Sequence, residues 1–507
     1  MRVVVWVGLL LMLLDGSFAL RAQHIPPVTP SPSEEVVALL RYIQSLSGKY
    51  ILPGQHNFPI SRDRNSRFAA DFIGKTPVIW SQDFGFAADG DKDSYLSRPA
   101  IVEEAIRQHK RGHIVTLCWH AVPPTADEPV TFQPAPGYDS TRLASVQGQL
   151  LDDQFKDVLT KGTKLHKQWV KQVDVIAGYL QQLQAAQVPV LWRPYHEMNG
   201  DWFWWGGRFE GKYTTAALYR QLFDRLVKHH KLNNLIWVWS VDRPNRPGRE
   251  FEHYYPGNEY MDLLSLDVYG NDFNVSYYDG LMALSNGKPI VLGEVGNPPS
   301  LDILDKQPNW VFWVVWAGMT RNTSRADYEK LASDPRVVFM EDQAFCKGTA
   351  PYRKACGLDP ISVDRKADFS GTWRLNEYES KIQNAGPSNT PYKLEIAQVE
   401  NEMRIKSTSI VEWADDEVTT QSLKLDGSDV KSTVFNHSPR VQNANWSSQQ
   451  DSLTVDSSVT FNFGGRTLEV KTKDVWTLER RGQKLVVFQT VNSFRGTRKS
   501  MLVYDKQ

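Results

Sequence analysis

The stretch Val188–Gly206, "VPVLWRPYHEMNGDWFWWG", joins a short apolar run to Arg193, His196 and Glu197, then crowds Trp202, Phe203, Trp204 and Trp205 behind them. A short, continuously apolar run reads as a strand buried on both faces, and such strands belong to parallel sheets covered by helices. Seven further runs share this texture: "YILPGQHN", "PVIWSQDFG" and "HIVTLCWH" before it, then "NLIWVWSVD", "LLSLDVYG", "PIVLGEVG" and "WVFWVVWAG". Helical spacing fills most of the gaps, as in "QWVKQVDVIAGYLQQLQAAQ" and "ALYRQLFDRLVKHH". Eight strands alternating with helices predict an α/β fold, a closed (β/α)8 barrel of the TIM type over residues 34–345. Its first helix is marked by Val36, Leu39, Leu40, Ile43 and Leu46 behind Ser33.

All strands of such a barrel end on one face, so residues distant in sequence meet there. His56, Asp83, His120, Glu197, Asp242, Tyr269, Glu294 and Trp316 stand at or just past these ends and are expected on one rim. The third connection, "AVPPTADEPVTFQPAPGYDSTRLASVQGQLLDDQF", is long enough to build a wall of a binding site.

The flanks carry different information. Residues 1–22 place Arg2 before the apolar run "VVVWVGLLLMLL" and a small-residue segment, the layout of a secretory signal peptide cut after Ala19 or Ala22. A secreted or periplasmic location follows. Residues 23–33 form a proline-rich lead, expected to be extended and mobile. No integral membrane segment is expected, since the other long apolar block, from Trp310, is about half the length a span requires. Cys118 reads as a buried, inert thiol. Cys346 and Cys356 lie in a loop-like joint, residues 346–363, where export would allow a disulfide between them. From residue 364 to 507 apolar and polar residues alternate between turn residues, which predicts a smaller all-β antiparallel barrel or sandwich.

Lysine plus arginine (58) equals aspartate plus glutamate (58) in the 507 residues. With no net field, nucleic acid is not an expected partner, and an uncharged one is. Glu197 and Glu294 suit cleavage of an acetal, which needs one acid for the leaving oxygen and one carboxylate to attack or to activate water. The aromatic residues after Glu197 would desolvate it and raise its pKa, while glycines flank Glu294. About 5 Å between the two carboxyls is the spacing for retained configuration. Trp202, Trp204, Trp205 and Trp316 offer indole platforms for the C–H faces of sugar rings. Trp204 and Trp205 read equally as core. A metal at His196 is not expected, because Gly200 stands where a zinc helix motif needs its second histidine. The nucleophile-elbow and phosphate-loop motifs are missing, and no cofactor is expected.

Together "WRPYHEMNGDWFWWG", "LGEVG", "LPGQHN", "CWH" and "LDVYG" resemble glycoside hydrolase family 26, whose best-known members are secreted β-mannanases. The resemblance covers roughly residues 34–340. It implies that Glu197 is the general acid/base and Glu294 the nucleophile of a retaining double displacement on β-mannan. It further implies that His196 holds substrate and nucleophile, that Tyr269 hydrogen-bonds the nucleophile beside Asp267, and that Arg193 supports the carboxylates from below. Trp202, Trp316 and His120 match residues lining the sugar subsites. One departure is Val122, Pro123 and Pro124 after "WHA", where the family has an Asn-Pro step. The family also holds enzymes acting on mixed-linkage glucan and β-1,3-xylan. A non-catalytic glycan-binding protein, of a different class, would be expected to lack one of these groups. "DFSGTWRLN" resembles the opening of lipocalin-like barrels, and the chain is expected to be a monomer.

Overall fold

The computed structural model describes residues 24–58, 62–85, 97–361, 367–383, 390–434, 437–447, 452–463, 466–479, 482–494 and 496–507. The signal-peptide reading of residues 1–22 lies outside them. The eight apolar runs become β1 (Leu52–His56), β2 (Ile79–Asp83), β3 (Ile114–Trp119), β4 (Val190–Pro194), β5 (Leu235–Asp242), β6 (Leu263–Val268), β7 (Ile290–Val295) and β8 (Trp310–Val315). They close in sequence order into one parallel barrel. Every residue of these strands is buried, which is why their sequences run apolar instead of alternating.

The covering helices follow their spacing. In Lys164–Ala185, Trp169, Val173, Ile176, Ala177, Leu180 and Leu183 are buried on one stripe, and Thr163 caps the start by accepting the His166 N–H. Trp80, Trp119, Trp192, Trp237, Trp239, Trp310 and Trp313 pack fully buried on the strands. Truncating such a ring costs about 3–5 kcal/mol.

Two expectations about the flanks are corrected. The lead is pinned to the barrel: the Val28 N–H donates to Asp262 Oδ1 at 2.8 Å, and Thr29 is 1% exposed with its hydroxyl on the Leu235 carbonyl. The joint is largely helix, Gln343–Ala355, packed against helix Glu34–Leu46 with Tyr42 edge-on to Phe345. Cys346 and Cys356 are both free. Ten residues of helix separate them by about 15 Å along the axis, beyond the roughly 7 Å limit for a disulfide.

The C-terminal region is a ten-stranded, nearly closed antiparallel barrel. Its strands are β9 (Gly371–Leu375), β10 (Lys393–Val399), β11 (Glu402–Ser409), β12 (Glu417–Lys424), β13 (Val430–Val434), β14 (Ser438–Trp446), β15 (Ser452–Phe463), β16 (Arg466–Glu479), β17 (Lys484–Ser493) and β18 (Gly496–Lys506). The order β12-β11-β10-β9-β18-β17-β16-β15-β14-β13 leaves a seam between β12 and β13. Trp373, Met403, Leu453, Trp476, Leu485 and Tyr504 belong to its core.

Candidate active site

The strand ends of the parallel barrel surround a cavity of about 360 Å³. His56, Asp83, His120, His196, Glu197, Trp202, Tyr269, Glu294 and Trp316 all line it. Of the predicted rim residues, Asp242 alone stays off this lining. Its backbone N–H and carbonyl bond the side-chain amide of Asn199, closing the end of β5.

Beyond Pro194 the chain makes an unusual turn. Tyr195 and Glu197 both have φ near +50°, left-handed values that non-glycine residues adopt at a cost of order 1 kcal/mol or more. Packing holds this strain in place. The Tyr195 hydroxyl accepts the Trp169 N–H at 2.9 Å, the Trp204 N–H donates to Ala121 O at 2.7 Å, and the Trp205 N–H donates to His196 O at 2.9 Å. Trp204 and Trp205 are fully buried, so they are core behind the turn and not platforms.

Trp202 is the indole that reaches the site. It passes so close to Gly200 that a Cβ there would lie 2.4 Å from the ring, and its Nε1–H donates to Glu197 Oε2 at 2.7 Å. The Arg249 guanidinium sits 4.8 Å over the Trp202 ring and is itself tied to Asp201 at 2.9 Å. Burial, then the charges of Glu294, Asp267 and Asp242, holds the Glu197 carboxyl well above its ordinary range, against the pull of the Trp202 N–H.

Glu294 has a different setting. Arg193 donates Nη2 to Glu294 Oε2 and Nη1 to Asp267 Oδ2, both at 2.8 Å, while the Tyr269 hydroxyl donates to Glu294 Oε1. Burial works against the Arg193 charge, but Asp267 and Glu294 outweigh it and hold the guanidinium ionised. A register slip places Glu294, instead of Gly293, opposite Asp267 of β6. A Cβ on Gly293 would lie 2.2 Å from Ser265 Oγ and 3.0 Å from Arg193 Cδ, so the bare backbone is what lets the arginine through.

The histidines line the other side. His120 is paired through Nδ1 with Asp83, which also accepts the Gly85 N–H at 2.6 Å. Its ring stands edge-on to His196 at 4.3 Å between centroids. His56 stacks on Trp316 at 3.8 Å and bonds Ser81 Oγ through Nδ1 at 2.8 Å. Burial pushes His56 down to about 3 and His196 well below its usual value, so both rings are neutral. Asp83, Cys118 and His120 lie close enough together to hold an ion. However, burial raises the Cys118 thiol, and the Asp83 oxygens already take protons from His120 and Gly85, which makes this a poor ligand set.

Phe58, Phe132, Gln147 and Phe203 also line the cavity, and reading strand ends missed them. Phe132 and Gln147 come from the long third connection. Its length signalled a wall, but no spacing rule says which of its residues turn inward. Gln147 is placed by a backbone bridge to Phe203.

Residues 28–347 match the family model of glycosyl hydrolase family 26. The chain belongs to this family. It is 34% identical over 295 residues to a mannan endo-1,4-β-mannosidase of Thermothelomyces thermophilus, covering 57% of this chain and 56% of that protein. The corresponding Bacillus subtilis enzyme is 28% identical over 341 residues, 61% of this chain and 88% of its own. Several relatives are longer: the match spans 37% of mannan endo-1,4-β-mannosidase A from Piromyces sp. Among solved structures, GH26A from Muricauda sp. superposes with a TM-score of 0.55 at 40% identity, covering 61% of this chain and 98% of that one. The Podospora anserina β-(1,4)-mannanase gives 0.52 at 28% identity, covering 64% and 70%. These likenesses concern the parallel barrel. Among the described residues, no helix is long and apolar enough to cross a membrane.

Proposed function

We propose that the chain is a secreted, retaining endo-β-1,4-mannanase acting on mannan, glucomannan or galactomannan, with residues 34–345 as its catalytic domain. The observation that carries this reading is the unequal treatment of two carboxyls in one cavity. Glu294 is fixed at both oxygens by a guanidinium and a phenol, whereas Glu197, half-buried beside the negative charges of Glu294, Asp267 and Asp242, is held toward its protonated form.

The chemistry follows from that difference. Glu294 attacks the anomeric carbon as Glu197 gives its proton to the departing glycosidic oxygen, which leaves a glycosyl ester on Glu294. Glu197, now a carboxylate, takes a proton from water as the water oxygen attacks the same carbon and releases Glu294. Inversion at each step returns the original configuration. Arg193, with Asp267 as its counter-charge, and Tyr269 hold the nucleophile in line. His196, as a neutral ring, and His120 offer hydrogen bonds to sugar hydroxyls, and the indoles of Trp316 and Trp202 face the ring C–H surfaces. No cofactor or metal takes part. The similarity to enzymes named mannan endo-1,4-β-mannosidases supports mannan as the substrate. Residues 1–22 as an export signal, residues 346–363 as a joint, residues 364–507 as an accessory domain and a monomeric state complete the proposal.

Incubating the purified chain with mannan, glucomannan, mixed-linkage glucan and β-1,3-xylan, and following reducing ends, tests it. Internal cleavage of the mannans with an initially β-configured product is expected. Release from the glucan or the xylan alone would move the enzyme to a sibling specificity, and release from none would favour a non-catalytic glycan-binding protein.

A further inference from the structure

The C-terminal barrel has two unlike ends. Trp476 of β16 belongs to the core, so strand alternation puts Asp474 and Thr472 on the same inner face. Cross-strand register carries that face around the wall. One tier joins Ala444, Val455, Asp474, Gln489 and Ser500, and the next, toward the β15–β16 hairpin, joins Gln442, Ser457, Thr472 and Val491. The tier on the opposite side of Asp474 is apolar, with Leu453, Trp476, Val487 and Leu502. At that end Phe369 stacks on Trp446 at 5.9 Å and accepts the Trp373 N–H at 2.9 Å, so the base is filled with rings.

The upper wall holds hydrogen-bonding capacity that the protein does not use. Gln442 is 5% exposed, and its Nε2 reaches Gln421 Oε1 across the seam at 3.4 Å, but its Oε1 has no partner. Asp474 Oδ1 is likewise buried without one. Both atoms are acceptors, and leaving buried acceptors unmet is unfavourable. Arg440, one tier farther out, donates Nε to Ser432 Oγ at 3.0 Å and meets no carboxylate among the described residues. Val459, Val470 and Thr472 share the inner face and stay partly exposed at this end. The β11–β12 turn at this end raises one open aromatic ring, Trp413, at 96% exposure.

We propose that this end of the C-terminal barrel is a saccharide-binding cup that takes the hydroxyl-rich end of a neutral glycan chain. Hydroxyls donate to Gln442 Oε1 and Asp474 Oδ1 and accept from Arg440, while an aromatic rim ring covers an apolar sugar face. A fatty chain fits poorly, because it would leave the same acceptors unmet and find the base occupied. The cup stands on the C-terminal residues alone and does not require the barrel to cleave mannan.

The test is affinity electrophoresis of the full chain carrying Glu294→Gln, in gels containing soluble mannan, mixed-linkage glucan or β-1,3-xylan. Retardation by at least one polysaccharide is expected, weakened about ten-fold by Gln442→Leu, the loss from one or two unmade hydrogen bonds. Trp413→Ala, at an exposed tip where folding is not at stake, should weaken it in the same gel. Retardation that neither substitution changes overturns the cup, as does no retardation by any of the three. Co-sedimentation with phosphatidylcholine vesicles that Gln442→Leu abolishes overturns it in favour of a lipid. Hydrolysis is scored separately on the unsubstituted chain, so failure of the catalytic reading and failure of the cup register in different assays.

Discussion

The carboxylate network of the parallel barrel and the inner wall of the antiparallel barrel bury polar groups in opposite ways. In the parallel barrel Arg193, Asp267, Glu294 and Tyr269 answer one another, each charge meeting a partner within hydrogen-bond reach. In the antiparallel barrel Gln442, Asp474 and Arg440 line a lumen with valences left over. A closed network of fixed dipoles suits charge that develops during a reaction, because nothing has to reorient. An open set suits a ligand that brings the missing partners with it.

The strongest way to break this comparison is at the proposed nucleophile. Glu294→Ala should lower kcat on mannan by roughly 10⁴-fold or more, while circular dichroism keeps the native signal. Near-normal turnover would mean that the attacking group lies elsewhere. Arg193→Met comes next: it strands Asp267 and Glu294 as buried charges, and should cost about 3–5 kcal/mol in urea unfolding and roughly 10²–10³-fold in kcat.

Trp202→Phe sharpens the account of the acid. The indole N–H favours the Glu197 carboxylate, so its removal raises that pKa further. The proposed mechanism needs Glu197 protonated, hence the alkaline limb of the pH profile should move upward, with kcat falling about ten-fold for one lost hydrogen bond. An alkaline limb that stays put would detach Trp202 from the acid. Arg249→Ala, which leaves the indole without its cover, should act in the same direction more weakly.

In the C-terminal barrel, burial raises Asp474 from 3.8 to about 6. The folded state therefore holds this proton longer than the unfolded chain. The stability it contributes is whole below pH 3.8 and is lost as pH rises through about 6. Asp474→Asn should remove that slope, a change of at most about 3 kcal/mol between pH 4 and 7.5 in unfolding of this domain. Equal slopes in variant and parent would place the carboxyl in water. The smallest effect concerns Cys346 and Cys356: a reductant should leave the melting temperature where it is, since no disulfide links them.

Much of this was legible beforehand because strands and helices carry their own periods. All eight parallel strands fall inside apolar runs read from the sequence, and Glu197 and Glu294 fall at the ends where a barrel gathers chemistry. What the sequence left open or misread shares a cause. Trp204 and Trp205 stand beside Trp202 in sequence, yet only the left-handed turns at Tyr195 and Glu197 decide which ring faces the cavity. A proline-rich lead and a cysteine-bearing joint look like free chain until their partners, Asp262 and Tyr42, arrive from far along the sequence. Phe132 and Gln147 sit in a loop without period, so nothing local marks their direction.

By itself the sequence determined the order and kind of elements and the placing of two carboxyls at strand ends, because hydrophobic period and residue chemistry are local properties. Tertiary structure alone decided their inequality: which one Arg193 and Tyr269 bind, and which one lies half-buried among negative charges. It likewise decided that the second barrel keeps acceptors unmet in its lumen. Proton affinity and hydrogen-bond satisfaction depend on distance in space, and that distance exists only once the chain has closed.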